Sequence, residues 1–295
     1  MPDSIFAFPV LKRVIPLALL IVTLTGEDSL ARAQSASLER LQVSEMVWML
    51  SGRGGNVAVV VTGDGVIVID TQYSDSAPAI IEQIREITSL PIRYVINTHV
   101  HGDHVGGNAV LQQDADIIAH RNTFERMSAS GADTDALPRI VFESGMVLRT
   151  GGVEIQLLHQ ERAHTDTDVA VWLPVENVLI SGDLFFNRMT PYVDQERGAF
   201  IPGWITFINT LTRLGDTGTK VVPGHGELSD MDGLRGMAHY FEAIQRIVQD
   251  AHAAGRSKEE ILTLTLEDLG APFTEWEGGR LGMALAAAYD ELTGR

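Results

Sequence analysis

The chain has 295 residues, 45% of them hydrophobic, with 22 Lys and Arg against 39 Asp and Glu and no Cys. That size suits one large globular domain with a substantial core, and the formal charge of −17 argues against nucleic acid as a partner. The lack of Cys excludes a thiol nucleophile, a thiolate metal site and any disulfide.

In chain order, the first 33 residues read as a signal peptide. Lys12 and Arg13 precede an apolar stretch from Val14 to Thr25, and Ala31-Arg32-Ala33 fits a small-x-small cleavage site before Gln34. The stretch is shorter than the ~20 residues a membrane span needs. Glu27 and Asp28 are unusual for such a region. The expectation is a cleaved leader (1–33), a mature domain (34–295), a periplasmic or secreted location and no stable membrane association after cleavage. The leader holds three charges of each sign, so the mature part keeps the full −17.

Val57 to Val61 and Val66 to Ile69 flank Thr62-Gly63-Asp64-Gly65 and predict a hairpin ending at Asp70. A helix follows from about Ala77 to Thr88, with Pro78 in its first turn and Ile80, Ile81, Ile84 and Ile87 on one face. Ile92 to Asn97 reads as a buried strand. After Gly145 come strands at Met146 to Leu148, Val153 to Leu158, Val169 to Leu173 and Val178 to Ser181, then one at Lys220 to Val222. Helices are expected from about Thr206 to Leu214, Gly233 to Ala254, Lys258 to Leu262 and Gly279 to Leu292. Two runs of strands, each followed by helices, suit two sheets packed face to face under outer helices.

His99-Val100-His101-Gly102-Asp103-His104 places three of the nine histidines and a carboxylate in one short loop after a buried strand. Imidazole and carboxylate are the ligands zinc takes when no thiolate is present, so the loop reads as metal-binding. On an extended segment His99 and His101 share a side while Asp103 and His104 diverge, which suits two neighbouring metals. Three further ligands sit at fitting places: His164 and Asp183 after strand-like runs, and His225 within Pro223-Gly224-His225-Gly226. Singly, each is more often a turn residue; their joint order carries the weight.

His-x-His-x-Asp-His, Ala-His-Thr, Gly-Asp and Pro-Gly-His-Gly, in that order from about Gly55 to Glu227, resemble the metallo-β-lactamase-fold hydrolase superfamily. The resemblance implies an α/β four-layer αβ/βα sandwich with metals at one edge of the sheets. It implies that His99, His101 and His164 hold one metal, that Asp103, His104 and His225 hold the second, and that Asp183 bridges them. The implied cofactors are two Zn2+, with iron or manganese also compatible with the oxygen ligands. A hydroxide between the metals is then the nucleophile, Asp103 and Asp183 are the catalytic carboxylates, and a small molecule is the substrate. The best-known zinc β-lactamases differ in carrying Cys at the position of Asp183 and Lys at that of Phe186. Glyoxalase II is more similar at the bridge. The expected activity is opening of a lactam, ester, lactone or thioester bond, with at most weak β-lactamase activity.

Rival readings are a persulfide dioxygenase with a single iron and a non-catalytic quinoprotein-accessory binding protein, which would usually have lost ligands. A flavodiiron oxygen reductase is expected to carry Glu at His101, and the Gly-x-Ser-x-Gly elbow of serine hydrolases is absent. Asp70 reads either as a turn carboxylate or as an acceptor orienting a ligand histidine. His120 and His159 read as structural, and His239 and His252 as surface residues. Gly52-Arg53-Gly54-Gly55-Asn56 reads either as a mobile lip or as an ordinary connection. Replacing Asp168, outside the ligand set, is expected to do less harm than replacing Asp183.

Overall fold

The computed structural model describes residues 38–112 and 115–294, so the leader expected over 1–33 lies outside the described residues. The first sheet contains β1 (Glu39–Gln42), β2 (Val47–Ser51), β3 (Val57–Val61), β4 (Val66–Ile69), β5 (Ile92–Ile96), β6 (Asp116–His120) and β7 (Ile140–Phe142), side by side in that order. It is antiparallel from β1 to β4 and parallel from β4 to β7. The parallel half requires crossovers. These are α1 (Ala77–Ile87), the single turns α2 (Gly102–Val105) and α3 (Asn108–Leu111), and α4 (Arg121–Ala129).

The second sheet contains β8 (Gly145–Thr150), β9 (Val153–His159), β10 (Val169–Leu173), β11 (Val178–Phe186), β12 (Lys220–His225) and β13 (Ser229–Asp230), in spatial order β13-β12-β11-β10-β9-β8. It is antiparallel except between β11 and β12, which α5 (Ile201–Leu211) connects. The chain closes with α6 (Met231–Ala253), α7 (Lys258–Ile261), α8 (Leu266–Leu269) and α9 (Leu281–Thr293).

Strand alternation builds the layers, because successive side chains leave a strand on opposite faces. Ala58 and Val60 of β3 and Ile67 and Ile69 of β4 pack against Val169, Val171, Val178 and Ile180 of the other sheet. Their neighbours Val57, Val59, Val66 and Val68 face the opposite way, onto Ala77, Ile80 and Ile84 of α1. On the second sheet Trp172, Leu179 and Val221 turn outward to Trp204 and Phe207 of α5, Phe241 of α6 and Leu285 of α9. The result is the expected four-layer sandwich. Each fully buried Val or Ile contributes about 1.5 to 3 kcal/mol relative to exposure.

Two backbone bonds stitch the sheets together beside the loops of interest: Asn56 N–H donates to Gly224 O at 2.7 Å, and Val169 N–H to Thr98 O at 2.7 Å. Among the described residues no helix is long and apolar enough to cross a membrane.

Candidate metal centre

Four stretches of chain converge between the sheets. The first leaves the end of β5, runs through His99 and His101, and turns into α2, which begins at Gly102 with His101 as its N-cap. The segment is therefore not extended throughout, yet His99 and His101 do face one centre while His104 faces its neighbour. His164 comes from the loop between β9 and β10, and His225 from the last position of β12.

Asp183 is placed differently from expectation. β11 does not end at Ser181 but runs to Phe186, and its register against β12 shifts at Gly182 and again before Phe186. Gly182 has φ 51°, a left-handed conformation that glycine adopts without strain. This irregularity re-aims Asp183 into the cleft.

The donor atoms form two clusters, one of His99, His101, His164 and Asp183, the other of Asp103, His104 and His225. In the first, His101 Nδ1 lies 3.0 Å from His99 Nε2 and 2.9 Å from His164 Nε2. Asp183 Oδ2 is 3.6 and 3.4 Å from the same Nε2 atoms. In the second, His225 Nε2 and His104 Nε2 stand 3.3 and 3.8 Å from Asp103 Oδ2. Asp183 Oδ1 is 3.5 Å from His225 Nε2 and 3.1 Å from His104 Nε2. The two oxygens of Asp183 thus face different clusters.

These separations fit zinc. Ligand bonds of about 2.0 to 2.1 Å in a tetrahedron place donors about 3.3 Å apart. His104 Nε2 and Asp183 Oδ1 are buried, close together, and have no hydrogen-bond partner. Buried polar atoms are rarely left so; lone pairs converging on a common cation give both a partner.

Carboxylates behind the histidines set which nitrogen faces the centre. Asp70 Oδ2 accepts from His104 Nδ1 at 2.7 Å, leaving Nε2 for the site. Asp70 also accepts from Thr98 N–H at 2.7 Å and Thr98 Oγ1 at 2.6 Å. With its proton committed there, Thr98 Oγ1 accepts from His99 Nδ1 at 3.1 Å, so Nε2 of His99 is also free. Asp70 is thus no plain turn carboxylate: it accepts from His104, a candidate ligand, as the second of its two readings expects. Asp194 Oδ2 accepts from His101 Nε2 at 3.1 Å and is itself held by Arg197 at 2.6 Å. Nothing in the motif spacing pointed to Asp194.

Burial lowers His225, but Asp183 and Asp103 outweigh it and raise its pKa to about 9. Burial brings His164 down to about 3, against the pull of Asp183. Burial raises Asp183, yet the surrounding imidazoles hold it well below the usual carboxylate range.

Asp168 is not a bystander. It is buried and accepts from Thr165 N–H at 2.8 Å and Thr165 Oγ1 at 2.7 Å, fixing the turn that carries His164. Burial pushes its pKa to about 7. Its replacement is expected to loosen the turn that carries His164, with less harm than loss of Asp183.

The glycine-rich stretch is pinned at its end. Asn56 Nδ2 donates to Pro223 O and Gly226 O, and a Cβ on Gly55 would stand 2.3 Å from His104 Cε1. His120 and His159 stack on each other at 3.6 Å away from the centre, and His239 and His252 are exposed.

The metallo-beta-lactamase superfamily model matches residues 50–226, more than half of the chain. The chain belongs to the metallo-β-lactamase superfamily. As a member it is a metal-dependent hydrolase. Within this superfamily it is 27% identical over 218 residues to the type 2 metallo-beta-lactamase of Bacillus cereus, covering 70% of this chain and 83% of the relative. It is 26% identical over 176 residues to metallo-beta-lactamase IND-1 of Chryseobacterium indologenes, covering 58% and 72%. The solved metallo-beta-lactamase from Pontibacter korlensis shares the fold with a TM-score of 0.61 and 22% identity, over 68% of this chain and 97% of that one.

Around the cluster lies a cavity of about 300 Å3 bounded by Tyr73, Phe186, Tyr192, Arg197 and Arg280 as well as ligand residues. Tyr73, Tyr192 and Arg280 belong to no motif the sequence offers. Arg280 lies outside the family-matched segment.

Proposed function

We propose that this protein is a dinuclear zinc hydrolase that opens an ester, lactone, thioester or lactam bond in a small molecule. The observation that carries the reading is Asp183, whose two oxygens face two separate groups of donors. His99, His101 and His164 would hold one ion, Asp103, His104 and His225 the other, and Asp183 both. Bound zinc would supply Lewis acidity, polarising a carbonyl and making water nucleophilic near neutral pH. Asp103, partly open to the cleft, would orient an incoming water and take up its proton. Asp70, Thr98 and Asp194 keep the imidazoles in the tautomers that the ions require.

The relatives' names refer to β-lactams, but one residue argues against efficient lactam turnover here. Phe186 is fully buried and stacked on His225, with ring centroids 5.0 Å apart. It offers no cation to a drug carboxylate, and a missing charge-assisted hydrogen bond costs about 1.5 to 3 kcal/mol. Protein purified without chelator is expected to carry close to two zinc ions per chain. On a panel of lactams, lactones, esters and thioesters it should show a high KM for penicillins and carbapenems and better turnover of some ester, lactone or thioester. One firmly bound iron that zinc cannot replace would favour the dioxygenase reading instead. A low-micromolar KM with fast carbapenem turnover would overturn the substrate preference.

A further inference from the structure

Each group of donors is drawn from both sheets. His99 and His101 follow β5 of the first sheet, whereas His164 lies between β9 and β10 of the second. Asp103 and His104 also follow β5, whereas His225 ends β12. Such donors share an ion only if the two halves keep a fixed separation beside it, because zinc bond lengths vary little. Beside His225 the tie is Asn56, through its bonds to Gly224, Pro223 and Gly226.

Beside His164 the tie has two parts. Val169 N–H donates to Thr98 O, and Val100 N–H to Thr167 Oγ1, which joins one side of the His164 loop to the loop after β5. The other side is held through Asp166 by α4, the helix that follows β6 of the first sheet. Arg126 of α4 grips both oxygens of Asp166: Nε donates to Oδ1 at 2.7 Å and Nη2 to Oδ2 at 2.8 Å. Asn122, one turn earlier, donates from Nδ2 to Asp166 O at 2.8 Å. A two-bond guanidinium–carboxylate pair fixes orientation as well as distance, and both side chains are half-buried.

Asp166 reaches a second donor of the same group. Its N–H donates to Arg197 O at 3.1 Å, Arg197 Nη1 donates to Asp194 Oδ2, and Asp194 Oδ2 accepts from His101 Nε2. Gly198 closes against this junction with φ 93°, and a Cβ there would stand 3.2 Å from Asp166 Cβ. These contacts lead to His164 and His101, and none of them touches Asp103, His104 or His225.

We infer that Arg126, acting through Asp166, is a positioning residue for one ion of the pair: it fixes where His164 and His101 stand, and the other ion does not depend on it. This rests on the two-ion reading above.

The test is chelator competition starting from zinc-loaded protein, with His164→Ala and His225→Ala used to assign the two steps. Arg126→Met should weaken the step belonging to His164 by about ten-fold or more and leave the step belonging to His225 unchanged. Arg126→Lys, which keeps the charge, should restore part of the loss. Arg121→Gln removes another ion pair of α4, Arg121 with Glu143 at 2.8 Å, and should change neither step. In cobalt-substituted protein the visible bands, which report coordination geometry, should shift in Arg126→Met and not in Arg121→Gln. If Arg126→Met does not fold, Asp166→Asn, close in shape, reads the same step. Unchanged steps, equal weakening of both, or the same loss in Arg121→Gln would overturn the inference. Two bound ions without hydrolysis would sink the hydrolase reading and leave the step-selective loss standing. If wild type binds a single ion, the two-ion reading fails, and the affinity of that ion in Arg126→Met still decides the role of Arg126.

Discussion

Asp70 and Asp194 each grip an imidazole by the nitrogen that faces away from the centre, but they serve different clusters. Partners of this kind typically matter ten- to a hundred-fold in metal affinity, roughly. Asp70→Asn is expected to weaken mainly the ion proposed to lie among Asp103, His104 and His225, and Asp194→Asn mainly the one proposed among His99, His101 and His164. A chelator-competition titration that resolves two binding steps checks this; the same step weakened in both variants would contradict it. The seven candidate donors stood out through the loop cluster and the order of the motifs, and the fold brings them together, although Asp183 lies within β11 and Asp103 and His104 on α2 rather than at strand ends. Asp194, Tyr192 and Arg280 were not legible in this way. Each reaches the centre only through tertiary placement, and an isolated Asp, Tyr or Arg in a loop carries no signal of its own.

At the scale of elements, His120 ends β6 and caps α4. Its Nε2 donates to Glu143 O at 2.7 Å and its Nδ1 accepts from Asn122 N–H at 3.3 Å, an arrangement that only neutral imidazole satisfies. Burial, assisted by the neighbouring His159, lowers its pKa to about 4, against about 6.5 in an unfolded chain. The unfolded state then binds more protons between these values, so the stability this group contributes is complete above about pH 6.5 and lost as pH falls toward 4. The Tm difference between zinc-loaded wild type and His120→Gln should therefore shrink on acidification from pH 7 to 4.5. A difference independent of pH would contradict the neutral cap. The β3–β4 hairpin, α1, β9, β10 and the terminal helices were readable because period-2 or period-3.6 apolar patterns were complete. β1, whose four residues are all exposed, β7, with only three, and the polar α4, with two buried residues, exist through pairing and packing that no local pattern announces. α5 begins at Ile201 rather than at about Thr206, with Pro202 in its first turn, where proline is at home.

For the whole molecule, the absence of Cys leaves packing, the backbone stitches between the sheets and metal to hold the fold. Residues 1–33 remain proposed as a leader on their sequence alone, and N-terminal sequencing of protein exported by an expressing cell is expected to begin at Gln34. A chain retaining Met1 in the exported fraction would contradict it. The four-layer architecture followed from the order of strand and helix patterns, whereas the cavity beside the site depends on Arg280, just before α9, meeting its rim. The account stands or falls on two metals held through Asp183. Anomalous diffraction at the zinc edge from crystals of the metal-loaded protein tests this most directly. The expected map has two peaks about 3.5 to 4 Å apart, one among His99, His101 and His164, the other among Asp103, His104 and His225, with a carboxylate oxygen of Asp183 on each. A single peak, or two peaks with Asp183 bound to neither, would contradict it.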